Sequence, residues 1–424
     1  MPNLLSRPVE AAVPERLGRS FRLLLASSLI TNAGDGVALA AGPLLIAAQT
    51  RDPLLVSMAL LSQSLPSLLF GVLAGTLADR VDRRRVISLV NLARSLVLAA
   101  LATTIATHVV NIAVVLGSLF VLGTAEVFAN VSASSLLPRL VPRADLGIAN
   151  ARLQGAFLVV NQLAGPPIGA FLFAIGMALP FATDAACYAL GAVVITRVVY
   201  GTGLEPETPG APREGFRREM AEGLRWLLHH PPMRTLALTI VAFNVTFGAA
   251  WSVLVLYAQE RLGMNEVGFG LLTSAIALGG LIGVASYGRL ERRFSLADIM
   301  RVGLLIETCT HLVLAVSTQA GVVLLMFVVF GAHAFVWGTT SLAVRQRAVP
   351  DALLGRVTGV YVVGVQLGIV IGTPIGGLLA RTLGITAPFW FGFVGSAVLV
   401  TLLWRQFEHI VHSGDVAHEA VAAS

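Results

Sequence analysis

Seven ionisable side chains stand inside long apolar stretches of this 424-residue sequence. In hydrocarbon, a charged side chain costs several kcal/mol unless it is paired or neutralised, and such residues commonly serve ion or proton movement. These residues are Asp35, Arg94, Glu126, Asp184, Glu307, His311 and His333. Their chemistry is proton binding and ion pairing, and the sequence contains no phosphate-binding loop or nucleophile elbow that would indicate an enzyme.

Asp35 and Glu126 are the predicted carriers of a coupling proton, and Arg94 is the predicted modulator of their proton affinity. Counted at about 1.5 Å per residue, the depths of these residues in their helices overlap, so Arg94 is able to pair with either carboxylate. A carboxyl group in an apolar cavity is readily neutralised, whereas a neighbouring guanidinium favours its charged form. The competing interpretation is a static ion pair that holds the helices together.

Two further carboxylates belong to the same prediction. Asp184 lies close to a predicted helix end, and Glu307 shares a helix face with His311, four residues later. The Glu307–His311 pair is either a second proton site or, the interpretation we favour, a local hydrogen bond. We interpret His333 as a satisfied interior histidine. No Cys/His cluster has metal-ligand spacing, so the sequence predicts neither a metal nor a cofactor.

The elements that position these residues are predicted to be membrane-spanning helices. Hydrophobic residues make up 56% of the chain and charged residues 12%, with a mean hydropathy of +0.82, whereas soluble domains carry about 25% charged residues. Each of twelve apolar stretches is near or above the roughly 20 residues that cross a bilayer as a helix. Their predicted bounds are 20–48, 54–78, 86–107, 109–131, 151–176, 178–199, 233–258, 266–290, 297–317, 320–343, 356–380 and 386–405.

The second half of the sequence repeats the first at one constant shift. Gly71 and Arg84 recur as Gly279 and Arg292, and Pro166 recurs as Pro374. Duplicated hydrophobic chains commonly build transporters with the substrate held between the halves. We therefore predict an all-α integral membrane protein with twelve transmembrane helices in two pseudo-symmetric six-helix halves. The predicted parts are an N-terminal half at 1–199, a cytoplasmic linker with an amphipathic helix at 200–232, a C-terminal half at 233–407 and a cytoplasmic tail at 408–424.

The distribution of charge predicts the orientation in the membrane. All 29 basic residues are arginines, and most lie in the N-terminus and in alternate loops such as 79–85, 139–152 and 213–234. The positive-inside bias places both termini in the cytoplasm, with the chain spanning a bacterial plasma (inner) membrane. The net charge of +6 follows from this asymmetry, so no nucleic-acid partner is expected.

A charged loop after the second stretch carries the first family resemblance. It runs from Gly75 to Arg85 and recurs in weaker form from Gly283 to Arg293. It resembles the cytoplasmic loop signature of the major facilitator superfamily. We expect Asp79 to pair with a nearby arginine or a helix N-terminus and so latch the cytoplasmic side shut. The predicted latch residues are Gly75, Asp79, Arg80, Arg83, Arg84 and Arg293.

The fifth stretch carries a second motif, Gly165-Pro-Pro-Ile-Gly169, with an echo around Pro374. Proline removes a backbone donor and bends a helix, while glycine permits close approach, so the predicted kink residues are Gly165, Pro166, Gly169 and Pro374. The motif resembles an element of superfamily exporters, although a generic proline kink is the alternative. Together with 135–146 and 32–35, it makes the chain resemble the drug:proton antiporter-3 branch, which includes macrolide, multidrug and enterobactin-type siderophore exporters.

The resemblance implies a proton-coupled exporter of hydrophobic or amphiphilic small molecules that works by alternating access, and we expect a monomer. Alternatives are a siderophore or endogenous-metabolite exporter, an uptake carrier, a lysophospholipid flippase and a non-transporting membrane sensor. An apolar cavity with a few amides and aromatic rings suits bulky amphiphiles, although each amide equally suits a helix–helix hydrogen bond. The substrate-binding candidates are Asn32, Gln63, Asn130, Asn161, Gln162, Asn244, Trp251, Trp337 and Gln366.

Overall fold

The computed structural model describes residues 15–78, 81–199 and 216–407, and these ranges are helical almost throughout. Eleven helical spans in them are long and apolar enough to cross a membrane, and Ala387–Leu403 is a shorter apolar helix. The twelve helices are α1 Gly18–Gln49, α2 Pro53–Ala78, α3 Arg83–Ala106, α4 Ile112–Leu136, α5 (three segments from Leu146 to Ile175), α6 Leu179–Thr196, α7 Pro231–Trp251, α8 Glu266–Arg293, α9 Leu296–Val316, α10 Ala320–Ala348, α11 Asp351–Leu383 and α12 Ala387–Leu403.

Polar side chains that accept a backbone hydrogen bond in the first helical turn mark where several helices begin. The Asp82 side chain accepts a hydrogen bond from the Arg84 N–H and begins α3 at Arg83, three residues before the predicted start. Asn111 and Ser295 cap α4 and α9 in the same way. A side-chain cap satisfies an orphan backbone donor and stabilises a helix by about 1 kcal/mol. The Asp82 cap therefore extends α3 beyond its apolar stretch, whereas the Asn111 cap begins α4 three residues after its predicted start.

Helix α5 changes geometry just before its Gly-Pro motif. Leu146–Ala156 is α-helical, Phe157–Ala164 is π-helical, and α-helical geometry resumes over Gly165–Ile175. Pro166 has no N–H, so the helix ladder is already interrupted at this point. A π-helical turn is rare and is frequently found at functional sites. The kink motif thus lies at the boundary between two kinds of helix.

The described helices belong to two compact units. The first comprises Met1–Gln49, Leu65–Gly210 and Glu266–Ser274, and the second comprises Thr50–Ser64, Ala211–Asn265 and Ala275–Ser424. Most of each unit comes from one half of the sequence, but the first unit includes the start of α8 and the second the start of α2. The predicted boundaries of the two halves stay a prediction.

Glycines bring helices into close contact within each unit. In the first unit, α1 packs against α5 and α6, and a Cβ on Gly169 would overlap the carbonyl of Val37. In the second unit, α7 packs against α11, where a Cβ on Gly372 would overlap the carbonyl of Val245. The equivalent helix pairs of the two units are therefore both packed through glycines, at glycine positions that the repeat does not make equivalent. Gly71 differs, because a Cβ added there would meet no described atom within 4 Å.

An amphipathic helix, here called the linker helix, occupies Phe216–His229 in the second unit. Glu222 forms an ion pair with Arg356, near the start of α11, and Gly223 lies against the Arg356 backbone. Leu227 is buried in this contact, whereas Leu224 and Leu228 are exposed. The linker helix is therefore docked on α11 through one face and leaves an apolar face uncovered by the described residues.

Candidate functional site

Helices α1, α3 and α6 bring three polar side chains together in the first unit. The Arg94 guanidinium lies 3.1 Å from Asp35 Oδ1, and the Tyr188 hydroxyl donates a hydrogen bond to the same oxygen. The guanidinium also stacks 4.2 Å from the centroid of the Tyr188 ring. The Arg94 side chain is 9% exposed and that of Asp35 is 32% exposed. Of this ion pair, the carboxylate is the member that solvent can reach.

Two glycines fix the position of Asp35 on α1. A Cβ on Gly34 would overlap Asp184 Oδ1 of α6, and a Cβ on Gly36 would lie 3.0 Å from the Cα of Gly165 in α5. Both contacts require the absence of a side chain on α1. Asp35 is consequently held where α5 and α6 approach α1 most closely, next to the Gly-Pro motif.

Asp184 belongs to the interior of this cluster. It lies near the start of α6, as expected, but its side chain is 2% exposed. Its Oδ1 atom has no hydrogen-bond partner among the described residues, although its charge interacts with those of Asp35 and Arg94. The sequence analysis did not identify Tyr188. Its position four residues after Asp184 was the available signal, since this spacing places both on one helix face.

Glu126 approaches the cluster from α4. Its side chain is exposed, has a side-chain hydrogen bond with Asn130, and interacts electrostatically with Arg94 and Asp35. Arg94 therefore contacts Asp35 directly, whereas its interaction with Glu126 is electrostatic and without a described contact. Three carboxyl groups thus interact electrostatically with one guanidinium, and the ion pair at contact distance is the one with Asp35.

Two predicted substrate-binding amides, Asn161 and Gln162, form a hydrogen-bonded chain to the backbone of Asn32, whose own side-chain amide donates to Ser28. Asn161 Nδ2 donates to the Asn32 carbonyl oxygen at 3.4 Å, and Gln162 Nε2 donates to Asn161 Oδ1 at 2.7 Å. Asn161 and Gln162 lie in the π-helical segment of α5. In the second unit, Asn244 is buried and donates to its own helix at the Ile240 carbonyl. Gln63 and Gln366 are half-buried.

Trp251 and Trp337 belong to a layer of aromatic rings between α7 and α10. The Trp251 ring lies 4.3 Å from Phe247 and 4.9 Å from Phe330, while Trp337 stacks on Phe243 at 6.2 Å between centroids. The sequence analysis selected the two tryptophans and missed the phenylalanines. Their four-residue spacing at 243, 247 and 251 is a signal for one helix face. The layer offers a flat apolar wall within the second unit.

The second unit also contains an ionisable cluster of its own. Glu307 Oε1 lies 3.0 Å from His311 Nε2, and Glu307 Oε2 lies 3.5 Å from His333 Nε2. Both imidazoles interact with the Glu307 carboxyl group, although neither contact meets strict hydrogen-bond geometry. The interpretation of His333 as a satisfied interior histidine stays a prediction; the residue is buried and its Nε2 lies against the Glu307 carboxyl group. The local hydrogen bond between Glu307 and His311 and the second proton site both stay predictions, since the 3.0 Å contact suits either one.

The predicted latch is only partly within the described residues. Asp79 and Arg80 lie outside them, Gly75 is in the last turns of α2, and Arg293 ends α8. Arg83 is buried at the start of α3. Arg84 pairs with Asp82 at 3.0 Å and donates to the Val198 carbonyl at 2.6 Å, which ties α3 to the chain after α6. The latch itself stays a prediction.

The described ranges contain no group of three or more His, Cys, Asp or Glu side chains arranged to hold a metal ion.

This chain is similar to a family and to known proteins that are named for secretion, efflux, export or transport. The sequence model of a family described as transmembrane secretion effector matches residues 14–416. The chain is 29% identical over 392 residues to the multidrug efflux pump Tap of Mycolicibacterium fortuitum, covering 86% of this chain and 92% of that protein. It is 27% identical over 349 residues to the enterobactin exporter EntS of Escherichia coli O1:K1 / APEC, covering 78% and 79%. A crystal structure of a bacterial homologue of the iron transporter ferroportin shares the fold, with a TM-score of 0.71 at 17% identity over 92% of this chain and 98% of that chain.

Proposed function

We propose, on the premise that this chain belongs to the transmembrane secretion effector family of the major facilitator superfamily, that it couples export of small molecules to proton entry. Membership makes the chain a multi-pass membrane efflux transporter for small molecules and not an enzyme. The all-α major facilitator fold is confirmed. The proposal adds proton coupling, alternating access, hydrophobic or amphiphilic substrates, a monomeric state and cytoplasmic termini in a bacterial plasma membrane.

The observation that carries the proposal is the shared use of Arg94 by three carboxyl groups. When Asp35 is ionised, Arg94 and Tyr188 stabilise its charge through the contacts described above. When a proton neutralises Asp35, the ion pair is lost, and Arg94 is left to interact with Asp184 or Glu126. Proton binding at the exposed member of the pair therefore changes which helices the guanidinium connects.

Helix packing around Asp35 transmits this change. Gly34 and Gly36 leave no room for α1 to move independently of α5 and α6. A shift of Arg94 between partners on α1, α4 and α6 would alter the preferred packing of these helices together. Closely packed helices have discrete arrangements rather than a continuum, which suits a transporter that alternates between two states.

The proposed class of substrate, bulky amphiphiles, rests on the uncharged amide and aromatic side chains rather than on the ionisable residues. In the first unit the amides beside Asp35 present a few hydrogen-bonding groups, and in the second unit the stacked aromatic rings present a flat apolar surface. Each of these features suits bulky amphiphiles better than sugars or inorganic ions. The name of the relative from Mycolicibacterium fortuitum, a multidrug efflux pump, supports the same class. Siderophore export is the second candidate, because the relative from Escherichia coli is named an enterobactin exporter.

Efflux of ethidium from cells tests the proposal. We expect wild-type cells to extrude the dye, a protonophore to abolish extrusion, and Asp35→Asn to reduce it more than about tenfold at equal membrane content. Glu126→Gln should also impair efflux. Asp298→Asn, which neutralises an exposed carboxylate outside the cluster, should retain wild-type efflux.

Three outcomes separate the alternatives. Unaltered protonophore-sensitive efflux by Asp35→Asn would contradict coupling at this residue. Protonophore-insensitive efflux would contradict proton coupling altogether. If wild type leaves ethidium inside but secretes a catecholate siderophore, or flips fluorescent lysophospholipid in proteoliposomes, the substrate class is wrong and the transport class is retained. A protein that moves none of these probes would favour the sensor interpretation.

A further inference from the structure

The second unit contains three buried ionisable side chains that coupling at Asp35 does not use. Glu307 and His311 lie on α9, and His333 lies on α10. The exposed fractions of the three residues are 0%, 0% and 7%. One imidazole nitrogen lies against each carboxyl oxygen of Glu307, at 3.0 Å for His311 and 3.5 Å for His333. These three side chains are here called the Glu307 cluster.

Glycines enclose the Glu307 cluster. A Cβ on Gly392 of α12 would lie 2.6 Å from His311 Cε1, and a Cβ on Gly303 of α9 would lie 2.9 Å from His333 Nδ1. The absence of side chains at these two positions leaves space for the imidazole rings. The rings are therefore held next to the carboxyl group, and neither can turn away without a movement of the helices.

The other charged side chains described on α9 and α10 contact residues outside the Glu307 cluster. On α9, Asp298 pairs with Arg301 at 3.3 Å near the helix start, and the exposed thiol of Cys309 faces away from the interior. On α10, Arg345 stacks on the ring of Tyr361, and Arg347 lies 3.7 Å from Glu291. Helix α12 has no charged residue. Among the described residues, only the two imidazoles are placed to balance a charge on Glu307.

The polar atoms of the Glu307 cluster are not satisfied as a structural network would be. Both carboxyl oxygens and all four ring nitrogens lack a hydrogen bond of acceptable geometry among the described residues. Buried polar groups that only stabilise a fold are nearly always hydrogen-bonded, and exceptions commonly mark functional sites. The contacts are close enough for a proton to be shared but do not lock one arrangement.

Charge counting gives the cluster one favoured state. With one proton on any of the three groups it is neutral, either as a carboxylate beside an imidazolium or as a carboxylic acid beside two neutral imidazoles. Loss of that proton leaves a negative charge in the interior, and a second proton leaves a positive one. Both states are costly in an apolar surrounding. The enclosed cluster therefore holds one proton, and exchange requires the helices around it to open.

We propose that the Glu307 cluster is a second proton-binding site of the transporter, so that each cycle carries two protons. One proton binds at Asp35 in the first unit and the other is shared by Glu307, His311 and His333 in the second. The proton enters as hydronium and leaves to water, with no other bond made or broken. This inference rests on the proposed function, because it assumes that proton entry drives export.

The proton-to-substrate ratio tests the inference. Purified full-length protein in proteoliposomes, with the membrane potential held at zero by potassium and valinomycin, is given a fixed pH gradient. The ethidium gradient at which net flux stops is then measured. Two protons balance an approximately 100-fold dye gradient per pH unit, and one proton balances about tenfold, because one pH unit corresponds to a factor of ten per proton.

For a gradient of one pH unit, we expect net flux through wild type to stop at an ethidium gradient of about 100-fold and net flux through Glu307→Gln to stop at about tenfold. Cys309→Ser, on the same helix but exposed, should match wild type. If Glu307→Gln does not fold, His311→Asn combined with His333→Asn provides a second test. A carboxyl group left without imidazoles stays protonated, so the ratio should again fall to one.

The inference would be overturned if Glu307→Gln reached the same ethidium gradient as wild type. It would also be overturned if wild type reached only about a tenfold ethidium gradient per pH unit. Those results leave proton coupling at Asp35 intact. A wild type whose dye gradient does not respond to the pH gradient would instead overturn the proposed function, and the second site with it. The two failures are thus distinguishable in one assay.

Discussion

Individual residues of the Asp35 cluster differ in how well the sequence predicted them. The pairing of Arg94 with a carboxylate on α1 or α4 was predicted from depth along the helices, since an unpaired arginine in hydrocarbon is costly. The choice of Asp35 over Glu126 depends on how α1 and α3 are rotated, which the sequence does not specify. Tyr188 was missed because a tyrosine in an apolar helix is equally typical of a bilayer-facing surface.

The hydroxyl of Tyr188 gives a prediction at the residue scale. Tyr188→Phe removes one donor from the Asp35 carboxylate and leaves the Arg94 contact in place. A hydrogen bond to a charged group contributes about 1.5 kcal/mol or more. Since the contact between α1 and α6 loses this support, Tyr188→Phe should lower the rate of ethidium efflux by up to about tenfold at equal membrane content, because about 1.4 kcal/mol corresponds to a factor of ten.

Tyr257→Phe is the matched control for this substitution. The Tyr257 hydroxyl has no hydrogen-bond partner among the described residues and lies in the second unit. Its removal should leave the efflux rate unchanged. A Tyr188→Phe efflux rate equal to that of wild type would show that the hydroxyl does not support the Asp35–Arg94 ion pair.

At the scale of helices, the Gly-Pro motif acts through packing as much as through bending. The sequence predicted a kink at Pro166. The structure adds a π-helical segment directly before the motif and a contact between Gly165 and the Gly36 backbone. A π-helical turn depends on tertiary packing rather than on local propensity, so it was not predictable from the residues alone. Close packing between the glycine of α5 and α1 positions Asp35.

Replacement of single glycines in α5 tests this role. Gly165→Ala places a methyl group on the Gly36 backbone, whereas Gly155→Ala, in the same helix, meets no described atom within 4 Å. Overpacking of this kind costs about 1–3 kcal/mol. We expect Gly165→Ala to lower the thermal unfolding midpoint in detergent by several degrees and to impair efflux.

Gly155→Ala should keep both properties, because alanine is favoured over glycine by up to about 1 kcal/mol in a helix interior. Equal midpoints and equal efflux for the two variants would contradict a packing role for Gly165.

At the scale of the whole molecule, composition and internal repetition predicted the fold class with little ambiguity. Twelve apolar stretches appear as helices, because lipid leaves a chain of this composition few other structures. The sequence did not predict that the start of α2 belongs to the second compact unit. There, Arg381 of α11 lies 3.6 Å from Asp52, and a Cβ on Gly377 would overlap the Ser57 side chain. Such contacts form between residues distant in sequence, and no local pattern encodes them.

Alternating access predicts that this contact must break during transport. In a variant without Cys187 and Cys309, paired cysteines at Asp52 and Arg381 should be joined by a short bifunctional thiol reagent, and efflux should be lost. The residues come from opposite halves of the sequence, so the link ties the halves together. The Arg16–Asp145 pair, at 3.3 Å and within one half, provides the control link, which should leave efflux intact. Full efflux with Asp52 linked to Arg381 would contradict rocking of the halves.

The most direct test of proton-driven export at Asp35 is proton movement by the purified protein. Proteoliposomes containing a trapped pH indicator are given an outward ethidium gradient and no initial pH gradient. We expect dye movement to drive protons in the opposite direction, Asp35→Asn to abolish this proton flux and Asp298→Asn to retain it. Dye movement without proton flux in wild type, or equal proton flux in Asp35→Asn, would contradict proton-driven export at Asp35.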